Sequence, residues 1–334
     1  MTGNSNNAGK RRLRAERRAA EAAAAKAKAE QEAKERRQQT IIGAIATCII
    51  LILIAIGAFA ICHATSQNGG AAKATGSDQQ SQQATDTQSL SEAKNALAAV
   101  STKPARADDQ AGILISKDGY GKKASGAPTV AFYMEPLCPG CASVHRTLDG
   151  TLESMIDAGQ LNLELHFMTF QDSKSTDEYS TRAFNGALVI AENDDDPQHL
   201  LKYLSNIYAE DFQPGELDNY ESVSDDQLKR QALDAGVSQE VADKAFDGST
   251  PYAKWLKAAD DYTILRTELY GDNGGFSSPT LTINGAYWST QEPSKAGVEF
   301  KAGFLQAIGL SADQVGQAGA MPSIGADGKP LDLG

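Results

Sequence analysis

The chain has 334 residues, room for one large folded domain or two small ones plus extensions. Its net charge of -12 is unevenly spread: residues 1–40 hold eleven Lys and Arg against five Glu, residues 41–62 hold no charge, and residues 63–334 hold 20 basic against 38 acidic side chains. That acidic portion argues against nucleic-acid binding, and the four cysteines (Cys48, Cys62, Cys138 and Cys141) are too few for a disulfide-stapled scaffold and too unevenly placed for a four-cysteine zinc site.

Residues 10–39 are mostly good helix formers, with Leu13 as the single large apolar side chain, so they offer no stripe to bury. They read as a solvated helix or a disordered basic segment that contacts anionic membrane lipid. Residues 41–62 then run 22 positions without a charge, enough for a helix of about 33 Å, the thickness of a bilayer core. This is the predicted transmembrane helix. Ala58-Phe59-Ala60 would suit a signal peptidase, but the apolar run is long and 40 residues precede it, which favours a retained span. Basic residues crowd its N-terminal side, whereas only Lys73 lies in the 30 residues after it, so the N-terminus is expected in the cytoplasm and the large portion outside.

From His63 to Gln88 no Leu, Ile, Val, Met or aromatic residue occurs, the composition of a flexible tether with a reach of about 28 Å. Folded sequence is expected to resume between Leu90 and Gly112, and the linker is drawn as 63–110. Beyond it Gly112–Ser116 reads as a strand, Lys117-Asp118-Gly119 as a turn, and Thr129–Met134 as a second strand ending at Glu135-Pro136-Leu137-Cys138-Pro139-Gly140-Cys141. Residues 142–156 carry apolar side chains at helical spacing, and 161–170 alternate as a strand. The result is a β-α-β unit with two cysteines at its first strand-to-helix junction. Residues 176–271 turn helical, with breaks near 194–197, 213–215, 222–225, Gly236 and 248–251. Strand pattern returns at 280–283 and 286–288 around Asn284-Gly285, a favoured two-residue hairpin turn. A last helix fits 293–308, and 311–334, rich in Gly and Ala, reads as a loose tail.

Cys138-x-x-Cys141 can be a redox dithiol, half of a metal site or a structural link. Placement favours the first reading. A cysteine at a helix start meets unsatisfied N–H groups and the positive end of the helix dipole, which favour thiolate over thiol. Cys138 is then the nucleophile, Cys141, one turn further in, resolves the mixed disulfide, and Pro139 takes the first helical position, where a missing N–H costs nothing. His145 completes a Cys-x2-Cys-x3-His spacing, but no fourth ligand has reason to converge there, so it is read as a half-exposed packing residue and no metal or other cofactor is assigned. Asp194-Asp195-Asp196 reads as a helix boundary rather than a calcium loop, and Tyr252, Trp255, Tyr262 and Tyr270 as core-facing aromatics.

The strand 129–134, Cys138-Pro139-Gly140-Cys141, the helical insertion and Ser278-Pro279-Thr280 before the 280–283 strand together resemble the extracytoplasmic DsbA-like disulfide oxidoreductases of the thioredoxin fold, over residues 112–308. The resemblance implies an α/β thioredoxin-like domain (111–310) with a helical insertion (172–271), and a cis Pro279 beside the dithiol with Ser278 contacting the substrate peptide. It also implies transfer of a disulfide to reduced exported proteins, with reoxidation by a membrane-embedded quinone-linked thiol oxidase. Disulfide reduction or isomerisation, and a non-catalytic soft-metal or thiol carrier, are the alternative readings. Two positions depart from the family. Gly140 stands where family oxidases often carry a His that donates to the thiolate, and Phe132 stands where many thioredoxin-like proteins bury an acid. Glu135 is the nearest acid and the candidate to stand in for it, although a solvated loop residue is the favoured reading.

Overall fold

The computed structural model describes residues 88–333. The basic segment, the predicted span at 41–62 and most of the tether lie outside the described residues, as do Cys48 and Cys62. Among the described residues no helix is long and apolar enough to cross a membrane.

The chain folds around a six-stranded sheet in the order β2-β1-β4-β3-β5-β6, comprising β1 (Ile113–Ser116), β2 (Gly119–Tyr120), β3 (Thr129–Met134), β4 (Asn162–Phe167), β5 (Thr280–Ile283) and β6 (Ala286–Trp288). Only β3 and β4 run parallel, because the helix α2 (Pro139–Asp157) carries the chain back across the sheet between them; the other neighbours are antiparallel. Val130, Phe132 and Met134 of β3 lie on one face, and Val144, Leu148, Leu152 and Met155 form the matching helical stripe of α2. Burying one such side chain contributes about 1.5–3 kcal/mol, which fixes α2, and with it the residues at its N-terminus, over the carboxyl ends of β3 and β4. The observed β4 ends at Phe167, three residues short of the predicted strand: Met168 N makes the last bond to β3, at Met134 O, and Thr169 N donates instead to Asp260 of the insertion.

Between β4 and β5 lie α3 (Tyr179–Asn193), α4 (Pro197–Ile207), α5 (Asp225–Asp234), α6 (Gln239–Ala245) and α7 (Ala253–Thr263), broken where Asp196, Ser224 and Ser238 cap the following helices. α3 is buried on almost every side and forms the insertion's core. After the hairpin, the predicted single helix is two, α8 (Glu292–Lys295) and α9 (Phe300–Ile308). Gly297 at φ 70° interrupts it, a conformation that ends a helix and that glycine adopts without strain.

Two boundary expectations need correction. Folded structure begins inside the predicted linker: Ser89 and Glu92 form a capping box for α1 (Leu90–Ala99), whose Ala93 and Leu97 are buried against α7. With only small or isolated apolar residues, this helix leaves a faint sequence signal. Nor is 311–334 loose. The buried Gln160 side chain donates to Gln314 O and Ala320 O at 2.8 Å and accepts from Gly316 N at 2.9 Å. Asn284, at φ 49° in the β5–β6 turn, donates to Gly325 O and Gly328 O at 3.0 and 2.7 Å. Val315, Ile324 and Leu333 add apolar contacts with the core, but they are scattered among Gly, Ala and polar residues, which is why hydropathy does not reveal the docked tail. Replacing Gln160 with Ala should cost about 2–3 kcal/mol by leaving several carbonyls unpaired, read as a lower urea midpoint; an unchanged midpoint would rule out the tail's contribution to stability.

Candidate functional site

The segment linking β3 to α2 is a tight turn. Cys138 N donates to Glu135 O at 3.1 Å across Pro136, whose fixed φ suits the turn's second position. Cys138 is therefore the N-cap of α2, with Pro139 at the first helical position as expected. A Ser, Thr or Asp cap would occupy the free N–H groups of the first turn with an oxygen; Cys138 makes no such side-chain cap bond, so the Gly140 and Cys141 N–H groups are left for its sulfur.

Ser278 and Pro279 come to the same place from the loop that leads into β5, the strand next to β3. The Ser278–Pro279 peptide bond is cis, and Cys138 Sγ lies 3.3 Å from Ser278 O. The Ser278 hydroxyl is buried, with the Cys138 sulfur as the group it can donate to. Pro279 also explains Gly140: a Cβ at that position would stand 2.9 Å from Pro279 Cδ and 3.6 Å from Cys138 Sγ. The two residues that departed from or matched the family pattern separately are thus one packing unit.

Both cysteines are free thiols in different surroundings. Cys138 is 6% exposed and Cys141 fully enclosed. Hydrogen bonding from the Cys141 thiol, then from Ser278 and the first-turn amides, outweighs burial and lowers the Cys138 thiol to about 6. Burial and the neighbouring Cys138 push Cys141 well up. Glu135 N donates to Cys141 Sγ at 3.4 Å. Where the family His is missing, the Cys138 thiolate therefore has other donors, all but Ser278 within Cys138–Cys141 itself.

Glu135 itself is the largest correction. Read as solvated, it is fully buried, with its carboxyl accepting from Leu137 N at 2.7 Å and from the Ser180 hydroxyl of α3. Desolvation raises it well above the usual carboxylate range. His145 is likewise buried rather than half-exposed. Its ring stacks on Tyr208 at 4.0 Å, and its Nδ1 pairs with Asp149 at 2.9 Å. Among the described residues no group of three or more His, Cys, Asp or Glu is placed to hold a metal ion. Further along, buried Asp260 of α7 accepts from Thr169 N and Oγ1, pinning the insertion to the end of β4; burial pushes it up to about 7.

Residues 120–265 match the family model described as thioredoxin. The thioredoxin-like match covers the dithiol and the insertion but ends before Pro279. A stretch of 110 residues is 31% identical to the serine/threonine-protein kinase PknE of Mycobacterium tuberculosis, covering 32% of this chain and 19% of the kinase, so the match spans about a fifth of that relative. Solved structures with a similar fold include reduced DsbA from Mycobacterium tuberculosis (20% identity, TM-score 0.43, 56% of this chain and 89% of that one). Another is MdbA, a thiol-disulfide oxidoreductase from Actinomyces oris (18% identity, TM-score 0.46, 60% of this chain and 88% of that one).

A thiol lowered to about 6 is ionised above that pH, so alkylation of the reduced thioredoxin-like domain by iodoacetamide should rise through pH 6, level off by pH 7 and stop at one cysteine, Cys138. A midpoint near the ordinary thiol value, or equal labelling of Cys141, would contradict the described geometry. By the same linkage the reduced form gains stability over the oxidised form as pH rises from about 6 towards 9 and loses it as pH falls back through 6.

Proposed function

We propose that this protein is an extracytoplasmic thiol-disulfide oxidoreductase, anchored by residues 41–62 with its N-terminus in the cytoplasm, that transfers a Cys138–Cys141 disulfide to reduced exported proteins. The observation that carries this reading is the asymmetry of the pair: a sulfur stabilised as thiolate at a helix start, in front of an enclosed sulfur that keeps its proton. Interactions that stabilise the thiolate stabilise the reduced enzyme, so they make its disulfide the more readily given away.

In the forward direction a substrate thiolate attacks Cys138 Sγ. The Cys138–Cys141 bond breaks, and Cys141 departs with the electron pair and takes up a proton. A second substrate thiolate then attacks the substrate sulfur of the mixed disulfide, expelling Cys138 as a thiolate. The substrate gains a disulfide, the enzyme is reduced by two electrons, and of the two substrate thiol protons one stays on Cys141 while the other goes to solvent. Ser278, its carbonyl beside Cys138 and its peptide bond cis to Pro279, supplies backbone against which an extended substrate segment can pair. Electrons leave the reduced pair through a membrane-embedded quinone-linked thiol oxidase.

The full chain, oxidised, should oxidise a reduced unfolded substrate; absence of dithiol-dependent activity would defeat the proposal. Cys138→Ser should abolish attack altogether, whereas Cys141→Ser should accumulate mixed disulfides through Cys138, visible as reductant-sensitive bands. Bands trapped only in Cys138→Ser would mean that the two sulfurs have exchanged roles. Metal retained stoichiometrically by the purified protein, without turnover, would favour the carrier reading instead.

A further inference from the structure

We propose that Gln213, contributed by the helical insertion, is a positioning residue that sets the acidity of Cys138 and thereby the oxidising strength of the dithiol. The inference rests on the thiol-disulfide reading of the site and adds to it a control point outside the Cys-x-x-Cys segment.

The geometry is a two-pronged clamp. Gln213 Nε2 donates to Pro136 O at 3.0 Å and to Cys138 O at 3.2 Å. An amide has two N–H groups, so one serves each carbonyl, and the carbonyls flank the Leu137–Cys138 peptide. Fixing both orients the backbone on either side of the nucleophile's own nitrogen, and so fixes where the Cys138 Cα–Cβ bond aims. That direction decides whether the sulfur sits over the Gly140 and Cys141 N–H groups or swings away from them. Cys138 O has a second donor in Ala142 N at 3.2 Å, whereas Gln213 serves Pro136 O from outside the turn.

Gln213 is itself held by the helix whose N-terminus it controls. Arg146 of α2 donates through Nε to Tyr208 O at 2.7 Å and through Nη2 to Gln213 Oε1 at 3.2 Å. The Tyr208 ring stacks on His145, the residue before Arg146. Gln213 N closes the loop by donating to Ala209 O at 2.9 Å. The circuit runs from α2 through His145 and Arg146 to residues 208–213, and back through the Gln213 amide to the first turn of α2. A cation on the amide oxygen strengthens the amide as a donor, so Arg146 acts on the clamp as well as anchoring it.

Three variants of the full chain test this. Gln213→Met keeps the length and loses both donors; Gln213→Ala loses the packing as well; Arg146→Lys keeps the charge but reaches fewer acceptors. The readouts are thiolate absorbance near 240 nm against pH and the equilibrium constant with glutathione. Both Gln213 variants should move the thiolate midpoint up by about one unit and make the disulfide about tenfold weaker as an oxidant. Arg146→Lys should shift both in the same direction by about threefold. Gln160→Ala, which also breaks side chain to carbonyl bonds but far from the dithiol, should lower the melting temperature without moving either readout. A Gln213→Met midpoint equal to that of the parent would overturn the inference, as would a Gln160→Ala shift of the same size. Should neither Gln213 variant fold, an unshifted Arg146→Lys would overturn it equally. The titration does not depend on any protein substrate, so failure of the parent to oxidise proteins would defeat the oxidase proposal while leaving this test standing.

Discussion

Everything at the site depends on the unsatisfied N–H groups in the first turn of α2. A helix must place something against those donors, and here the something is a sulfur: Cys138 occupies the cap position and leaves the amides without an oxygen. The interaction is local to four residues, yet it requires the rest of the domain. The helix has to be immobile, which the β3–β4 face achieves by packing. The sulfur has to be kept from bulk water, which Pro279 and Ser278 achieve from another strand. Its backbone has to keep one orientation, which the insertion enforces.

The insertion is accordingly more than a lid over the sheet. It reaches the dithiol segment at Glu135 through Ser180 and at Pro136 and Cys138 through Gln213, while Asp260 ties its last helix to the end of β4. Each of these contacts joins a side chain to backbone or to a buried carboxyl, and each closes a large span of sequence, 91 residues in the case of Asp260 and Thr169. The entropic cost of ordering such a span grows only slowly with its length, and the insertion shares one apolar core with the sheet, Phe184 of α3 meeting Phe167 of β4, so a few polar contacts suffice to set the register between them.

What could be read from the sequence follows from how far each interaction reaches. The strands β3, β5 and β6 and the breaks between insertion helices are written in local pattern and caps, and the structure has them where the pattern does. Cys138 and Cys141 are legible because residue type and position are chemically narrow, whereas Ser278 and Pro279 are picked out only by the family resemblance. Glu135 was misread because the sequence shows a charged residue next to a proline in a turn, and nothing nearby discloses that Ser180 will cover it. Gln213, in a loop before Pro214, is invisible for the same reason: its partners are backbone carbonyls 75 and 77 residues away, and carbonyls have no sequence signature. The docked tail escaped notice because amide side chains and a few isolated apolar residues hold it, and neither leaves a periodic pattern.

The enclosure of Cys141 directly behind Cys138 has a consequence for chemical wear. A thiol that ionises as readily as Cys138 is open to attack by peroxide, and a solitary one climbs through sulfenic to sulfinic acid, from which it does not readily return. Here only the outer sulfur is within reach of an oxidant. A sulfenic acid formed on Cys138 would face a thiol one helical turn behind it, and condensation of the two expels water and closes the same disulfide that the proposed cycle uses. Damage to the front sulfur is thereby converted into the working oxidised form, and the buried position of Cys141 gives the site a built-in resistance to overoxidation.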